Sequence, residues 1–130
     1  MEGFSGSLAI SASGMRAHSS RLRLTAENLA NVDTPGYRRK MASFESETKF
    51  GESTGLVRSG ETRLDQTELP MKFDPSHPMS DDGGYVQGSN VNLMIEIADA
   101  REAQRSYEVN LKMFEQTRKM SSELLDLLKR

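Results

Sequence analysis

Between Val91 and Arg130 the chain contains neither glycine nor proline. These two residues most often break a helix, so a long stretch without them leaves few alternatives to one continuous helix. Within it Leu93, Ile97, Ala100, Gln104, Tyr107, Leu111, Phe114, Arg118, Ser121, Leu125 and Leu128 follow at alternating steps of four and three. That spacing places all of them on one helical stripe, and its persistence is the mark of a heptad seam. At 1.5 Å per residue the helix is expected to approach ~60 Å, which points to coiled-coil packing rather than a globular core. Met94, Met113, Met120, Leu124 and Leu127 widen the apolar surface beyond one seam. Asn92 is placed to cap the helix, Glu96 lies where the dipole favours an acid, and Glu115 and Lys119 form an i,i+4 pair.

A second stripe lies near the start. Leu8, Ala12, Met15, Ser19, Leu22, Ala26 and Leu29 repeat the same alternation. Only Leu8, Met15, Leu22 and Leu29 are bulky, so a partner helix can approach closely. Gly14 and the serines before it weaken the first turns. A firm helix is therefore expected from about Gly14, with the preceding residues ordered by a partner. Paired in one hairpin, the shorter first helix leaves apolar surface on the longer one uncovered, which implies contact with other chains.

Between the helices the pattern changes. Asp33-Thr34-Pro35-Gly36 combines a residue restricted by the following proline with a proline–glycine turn signal. Gly51, Gly55 and Gly60 then punctuate short segments. Gly55–Val57 and Thr62–Leu64 are among those segments; Leu69–Phe73 and Tyr85–Gln87 read as strands, the Pro75–Pro78 stretch as irregular, and Asp81–Gly84 as a turn. The expected fold is mainly α. Long N- and C-terminal helices of coiled-coil character pair around a short extended or β-hairpin middle. The expected division is 1–34 helical, 35–90 connector and 91–130 helical, with the two ends forming one axial unit.

Chemistry finds little support. With no cysteine among 130 residues, a thiolate metal site, disulfide or cysteine nucleophile is excluded. His18 and His77 are the only histidines and share no ligand spacing. Asp81 and Asp82 are not followed by an EF-hand pattern, no serine sits in a nucleophile elbow, and Gly51-x-x-x-Gly55 lacks the end of a phosphate loop. No catalysis, cofactor, metal or small-molecule substrate is expected. The formal charge of −2 argues against nonspecific nucleic-acid binding. A helical nucleic-acid module using Arg16, Arg21, Arg23 and the Arg38–Lys40 run is the weaker alternative, since residues 41–90 are acidic. The same run reads as a solvated loop, with an anionic partner as its other reading. No apolar stretch is long enough to span a membrane. No basic segment followed by an apolar one opens the chain, so any export is expected to use a route that does not read such a signal.

The helix exit reads Asn28-Leu29-Ala30-Asn31-Val32-Asp33-Thr34-Pro35-Gly36-Tyr37. It resembles the N-terminal signature of the flagellar axial proteins, the rod and hook subunits. Asp74-Pro75-Ser76-His77-Pro78, Gly84-Tyr85-Val86, Ser89-Asn90-Val91-Asn92 and Arg105-Ser106-Tyr107-Glu108-Val109-Asn110 narrow the resemblance to the C-type proximal-rod family. The B-type rod subunits are the nearest alternative, and hook and distal-rod proteins are longer. The resemblance implies a non-catalytic, periplasm-spanning rod subunit of the bacterial flagellar basal body that transmits torque. It implies copies of itself and other rod proteins as partners, and delivery by the flagellar type III export apparatus. Assembly is expected through Leu8, Met15, Leu22, Leu29, Leu93, Ile97, Tyr107, Leu111, Phe114, Leu125 and Leu128. The turn is expected to depend on Asn28, Asn31, Thr34, Pro35, Gly36 and Tyr37, with the two asparagines bonding near the last helical carbonyls.

Overall fold

The computed structural model describes residues 2–129. Helix α1 spans Glu2–Ala30 and helix α2 spans Leu93–Leu128. Between them lie β1 (Lys40–Met41), β2 (Phe44–Lys49), β3 (Glu52–Ser59), β4 (Arg63–Leu64), β5 (Met71–Phe73) and β6 (Tyr85–Gln87). The strands form three antiparallel two-stranded ribbons, β1 with β4, β2 with β3 and β5 with β6. This is the mainly α architecture expected, two long terminal helices around a strand-bearing middle.

The 36 residues of α2 correspond to about 54 Å. Asn92 caps it, its Oδ1 accepting from the backbone N–H of Met94 at 3.0 Å and of Ile95 at 3.3 Å. Helix α1 begins at Glu2 rather than near Gly14. The glycine that weakens the helix on propensity serves packing: a Cβ there would lie 2.8 Å from Oδ1 of Asn110 on α2. Gly14 facing Asn110, Arg21 facing Asp99 and Glu102, and Asn28 facing Glu96 make the two helices antiparallel.

Their seam is built from small and polar residues. The buried positions are Ser11, Ser13, Ala17, Thr25 and Asn28 on α1, and Glu96 and Ala103 on α2. Ser13 and Thr25 donate to the carbonyls of Ile10 and Arg21 in their own helix, so their hydroxyls are buried with a partner. The α2 residues facing α1 run through Glu96, Ala103 and Asn110, a face adjacent to the Leu93–Leu111–Leu125 row. Small side chains let the backbones approach, and they leave the bulky residues at the flanks.

The β2–β3 hairpin turns through Phe50 (φ 53°) and Gly51 (φ 81°), between the paired Lys49 and Glu52. Positive φ at both central residues is the type I′ geometry that matches strand twist. The hairpin lies along α1: the Val57 N–H donates to Ser13 Oγ at 3.1 Å, Gly55 opposes Ile10, and the Phe44 ring meets His18 edge-on at 4.9 Å. Strand β2 was not foreseen. Its Phe44-Glu45-Ser46-Glu47-Thr48-Lys49 sequence is exposed on both faces and shows no apolar alternation. The β5–β6 ribbon carries the Pro75–Pro78 loop, ordered by the Met79 N–H donating to His77 Nδ1 at 3.0 Å and the Tyr85 N–H donating to Asp81 Oδ1 at 2.8 Å.

Candidate assembly surface and the junction that aims it

The chain leaves α1 through a turn at Thr34–Tyr37, closed by the Tyr37 N–H donating to the Thr34 carbonyl at 3.2 Å. Pro35 fixes the second position and Gly36, at φ 73°, takes the third, a left-handed conformation that suits glycine. The Gly36 N–H reaches the Gln87 carbonyl at 3.1 Å, which ties the turn to β6. Asn31 donates to the Glu27 carbonyl at 2.8 Å and accepts from the Thr34 hydroxyl at 3.0 Å, so its side chain closes the helix end.

Asn28 does something else. Its Nδ2 donates to the Lys40 carbonyl at 2.8 Å and its Oδ1 accepts from the Lys40 N–H at 2.9 Å. The amide thereby pairs with Lys40 as a neighbouring strand would. Oδ1 also accepts from the Tyr37 hydroxyl at 2.9 Å, giving that half-buried ring a bonded polar end. On the other side, Asn90 Oδ1 accepts from the Arg39 N–H at 2.6 Å, while its Nδ2 donates to the carbonyls of Asp65 and Thr67. Residues 37–40 are held between two asparagines, one in the last turn of α1 and one just before α2.

The basic run after the turn is not a solvated loop. The Arg39 guanidinium donates to Glu96 and, at 3.1 Å, to Asp99. Lys40 pairs with Glu27 at 2.9 Å, and Arg38 donates to the carbonyls of Asp65 and Thr67. The sequence shows three like charges in a row, whereas their partners, acids from α1 and α2 and backbone carbonyls from the loop after β4, come from distant segments. Glu96, expected to interact with the helix dipole, is 1% exposed and binds both Arg39 and Asn28. Burial disfavours the Arg39 cation, yet Glu96, Asp99 and Asp65 outweigh it and hold its pKa above the ordinary value.

The expected assembly residues divide by exposure in the single chain. Leu8, Met15, Leu22, Leu29, Ile97, Tyr107 and Phe114 are half-buried, while Leu93, Leu111, Leu125 and Leu128 are exposed. A second exposed apolar row, which the stripe did not contain, runs through Ile95, Val109, Met113, Met120, Leu124 and Leu127. As far as Met120 these rows flank the face that meets α1, Leu124, Leu125, Leu127 and Leu128 lie past the start of α1, and Arg101, Arg105, Lys112, Glu115 and Lys119 occupy the remaining side. An exposed row of this length on each flank is the signature of a helix that finishes its packing against other chains.

His18 sits where α1, α2 and the β2–β3 hairpin meet. Its Nδ1 is buried without a hydrogen-bond partner. Desolvation, reinforced by Arg21 and opposed by Glu102, holds its pKa below the ordinary value. Among the described residues no group of His, Asp and Glu is arranged to hold a metal ion, and no helix is long and apolar enough to cross a membrane.

Residues 8–38 match the family described as "Flagella basal body rod protein", and residues 82–127 match "Flagellar basal body rod FlgEFG protein C-terminal". The chain is 40% identical to the flagellar basal-body rod protein FlgC of Agrobacterium fabrum, over 99% of this chain and 98% of that protein. It is 31% identical to FlgC of Salmonella typhimurium, over 91% and 92% of the two chains. Against FlgC of Bacillus subtilis it is 30% identical, over 93% and 95%. The two matched family regions contain the turn motif with most of α1, and most of α2.

Proposed function

This chain belongs to the FlgC family of flagellar basal-body rod proteins, and from that membership we propose how its fold serves as a structural subunit of the proximal rod. It is a non-catalytic component of the periplasm-spanning rod and takes part in motility. The observation that carries the mechanism is the pair of exposed apolar rows on α2, on either side of the face that meets α1. Each row seeks a further helix, so a subunit is completed by neighbours on two sides. Burying one leucine or methionine contributes about 1.5–3 kcal/mol, so a row of several supplies a strong lateral contact. The junction at residues 28–40 then fixes the direction in which the strand-bearing middle leaves the helical pair. Load entering the middle segment passes into the helices through Asn28, Arg39 and Glu96.

Three functional segments serve this role: 1–34 and 91–130 as the axial unit, 35–90 as the connector. Copies of the chain and other rod proteins supply the neighbours. Delivery by the flagellar type III export apparatus accords with a destination outside the cytoplasm.

The test uses Leu111, 36% exposed in the single chain. Leu111→Asp is expected to lower the stability of the purified subunit by about 1–2 kcal/mol, because the single chain already covers most of that side chain. Incorporation into basal bodies should be lost, because burying an unpaired carboxylate costs several kcal/mol. Glu108→Gln, on the polar side, is the control. Cellular level, export and abundance in purified basal bodies are measured separately. Incorporation of Leu111→Asp at the wild-type level would rule out that row as an interface.

A further inference from the structure

Phe50 is 96% exposed, more than any other large apolar residue among those described. It is also the only non-glycine residue there with a positive φ. It occupies a turn position that asparagine, aspartate or glycine fills with less strain. Lys49 Nζ lies 5.9 Å from the centroid of its ring. The arm that presents it is exposed along all of β2 and carries Glu45, Glu47 and Glu52. Because β3 is fastened to Ser13 and opposes Ile10, the arm runs along α1 and its tip projects past Ile10.

A hollow of about 500 Å³ opens on a side of α1 that the arm does not cover, lined by Ala12, Met15, Arg16, Ser19, Ser20 and Tyr107. Its floor is low because Ala12, Ser19 and Ser20 are small. Its walls are groups that favour a phenyl ring: a thioether, an aromatic ring and a guanidinium. Arg16 is exposed and takes part in no ion pair among the described residues. It is therefore free to face Glu47 and Glu52, the arm's acids outside the Glu45–Arg58 pair. The chain's own arm is fastened at Ser13 and Ile10, on another side of α1, so a ring that fills this hollow comes from another molecule. A projection on one side and a complementary hollow on another make a heterologous contact, the kind that repeats into a helical array.

We propose that Phe50 of one subunit docks between Met15, Arg16 and Tyr107 of a second copy of this chain, displaced along the helix axis. The inference rests on the rod-subunit reading and adds a contact between the arm and the outer side of α1. The chain has no cysteine, so a Phe50→Cys, Ser19→Cys pair reports this contact alone. Mild oxidation of basal bodies carrying the full-length double variant should give disulfide-linked dimers and higher species. Co-expression of the two single variants should give dimers only. Basal bodies that contain the double variant at wild-type abundance but yield no intersubunit cross-link would overturn the contact. So would a cross-link confined to one chain.

A second variant covers the case in which the cysteines block assembly. Phe50→Asn relieves the turn, so the purified subunit should melt no lower than wild type, while its incorporation falls about tenfold or more, the factor set by 1.4 kcal/mol of lost contact. Phe50→Tyr, which keeps the ring, should restore incorporation. Undiminished incorporation of Phe50→Asn would sink the proposal and leave the rod-subunit reading standing. Absence of the wild-type chain from purified basal bodies would remove both.

Discussion

Gly14 and Asn110 show how one residue's meaning depends on a partner almost a hundred positions away. Alanine at position 14 gains about 1 kcal/mol of helix propensity, but its Cβ would lie 2.8 Å from Asn110 Oδ1. Asn110 cannot simply yield, since its Nδ2 donates to the Ser106 carbonyl at 3.0 Å. Gly14→Ala is therefore expected to destabilise the subunit by about 1 kcal/mol, and to stabilise it when Asn110→Ala is already present. A double-mutant cycle in urea should return a coupling of about 1–2 kcal/mol. Additive effects would show that the contact does not limit packing. Asn28, 1% exposed, invites a sharper test. Asn28→Asp removes the donor to Lys40 and places a carboxylate beside Glu96, so a loss of about 3 kcal/mol or more is expected by urea unfolding. A loss below about 1 kcal/mol would mean that residues 37–40 are held by other bonds. The cap at Asn92 was legible because its partners are two and three residues away. The roles of Asn28, Arg39 and Glu96 were not, because their partners come from three separate segments.

Helix α2 shows what periodicity can and cannot say. The alternation of four and three identified a helix and its apolar character. It did not say which face meets α1, because small and apolar residues occupy three sides. The structure puts Glu96, Ala103 and Asn110 against α1, where Glu96 bonds Asn28 and Arg39 and Asn110 fits against Gly14. Strand β2 escaped detection for a related reason: it is held by its pairing with β3 and by its turn, with no buried face to impose alternation. The start of α2 depends on its cap. Asn92→Ala removes two capping bonds and should lower subunit stability by about 1 kcal/mol. Asn92→Asp, which keeps the acceptor, should recover most of it in thermal unfolding.

For the whole molecule, the point where α1, α2 and the hairpin meet gives a dependence on pH. The His18 pKa lies below its ordinary value of 6.5 in the folded chain. Between that lowered value and 6.5 the unfolded chain binds more protons than the folded one. The stabilisation is thus complete above 6.5 and is lost as pH falls toward the folded value. Melting temperatures should drop on acidification through this range, and the drop should be smaller in His18→Gln. An identical pH profile for the two proteins would remove His18 as the cause. Hydrogen exchange should also be graded along α2. The segment near Glu96–Ala103, held by the junction, should exchange slowly in the free subunit, and the exposed turn at Leu124–Leu128 should exchange fast. Equal protection along the helix would contradict that gradient.

The small-residue seam between α1 and α2 has a mechanical consequence. Glycine, alanine and serine interlock shallowly over most of it, and the polar bonds that cross it, Asn28 with Glu96 and Arg21 with Asp99 and Glu102, gather toward one end. In an assembled body twisted to failure, the plane of least resistance would therefore run inside each subunit. The first yield would be one helix sliding along the other, before adjacent molecules part. Such slip would be recoverable so long as the asparagine grip at the far end of the hairpin stays closed, and permanent once it opens.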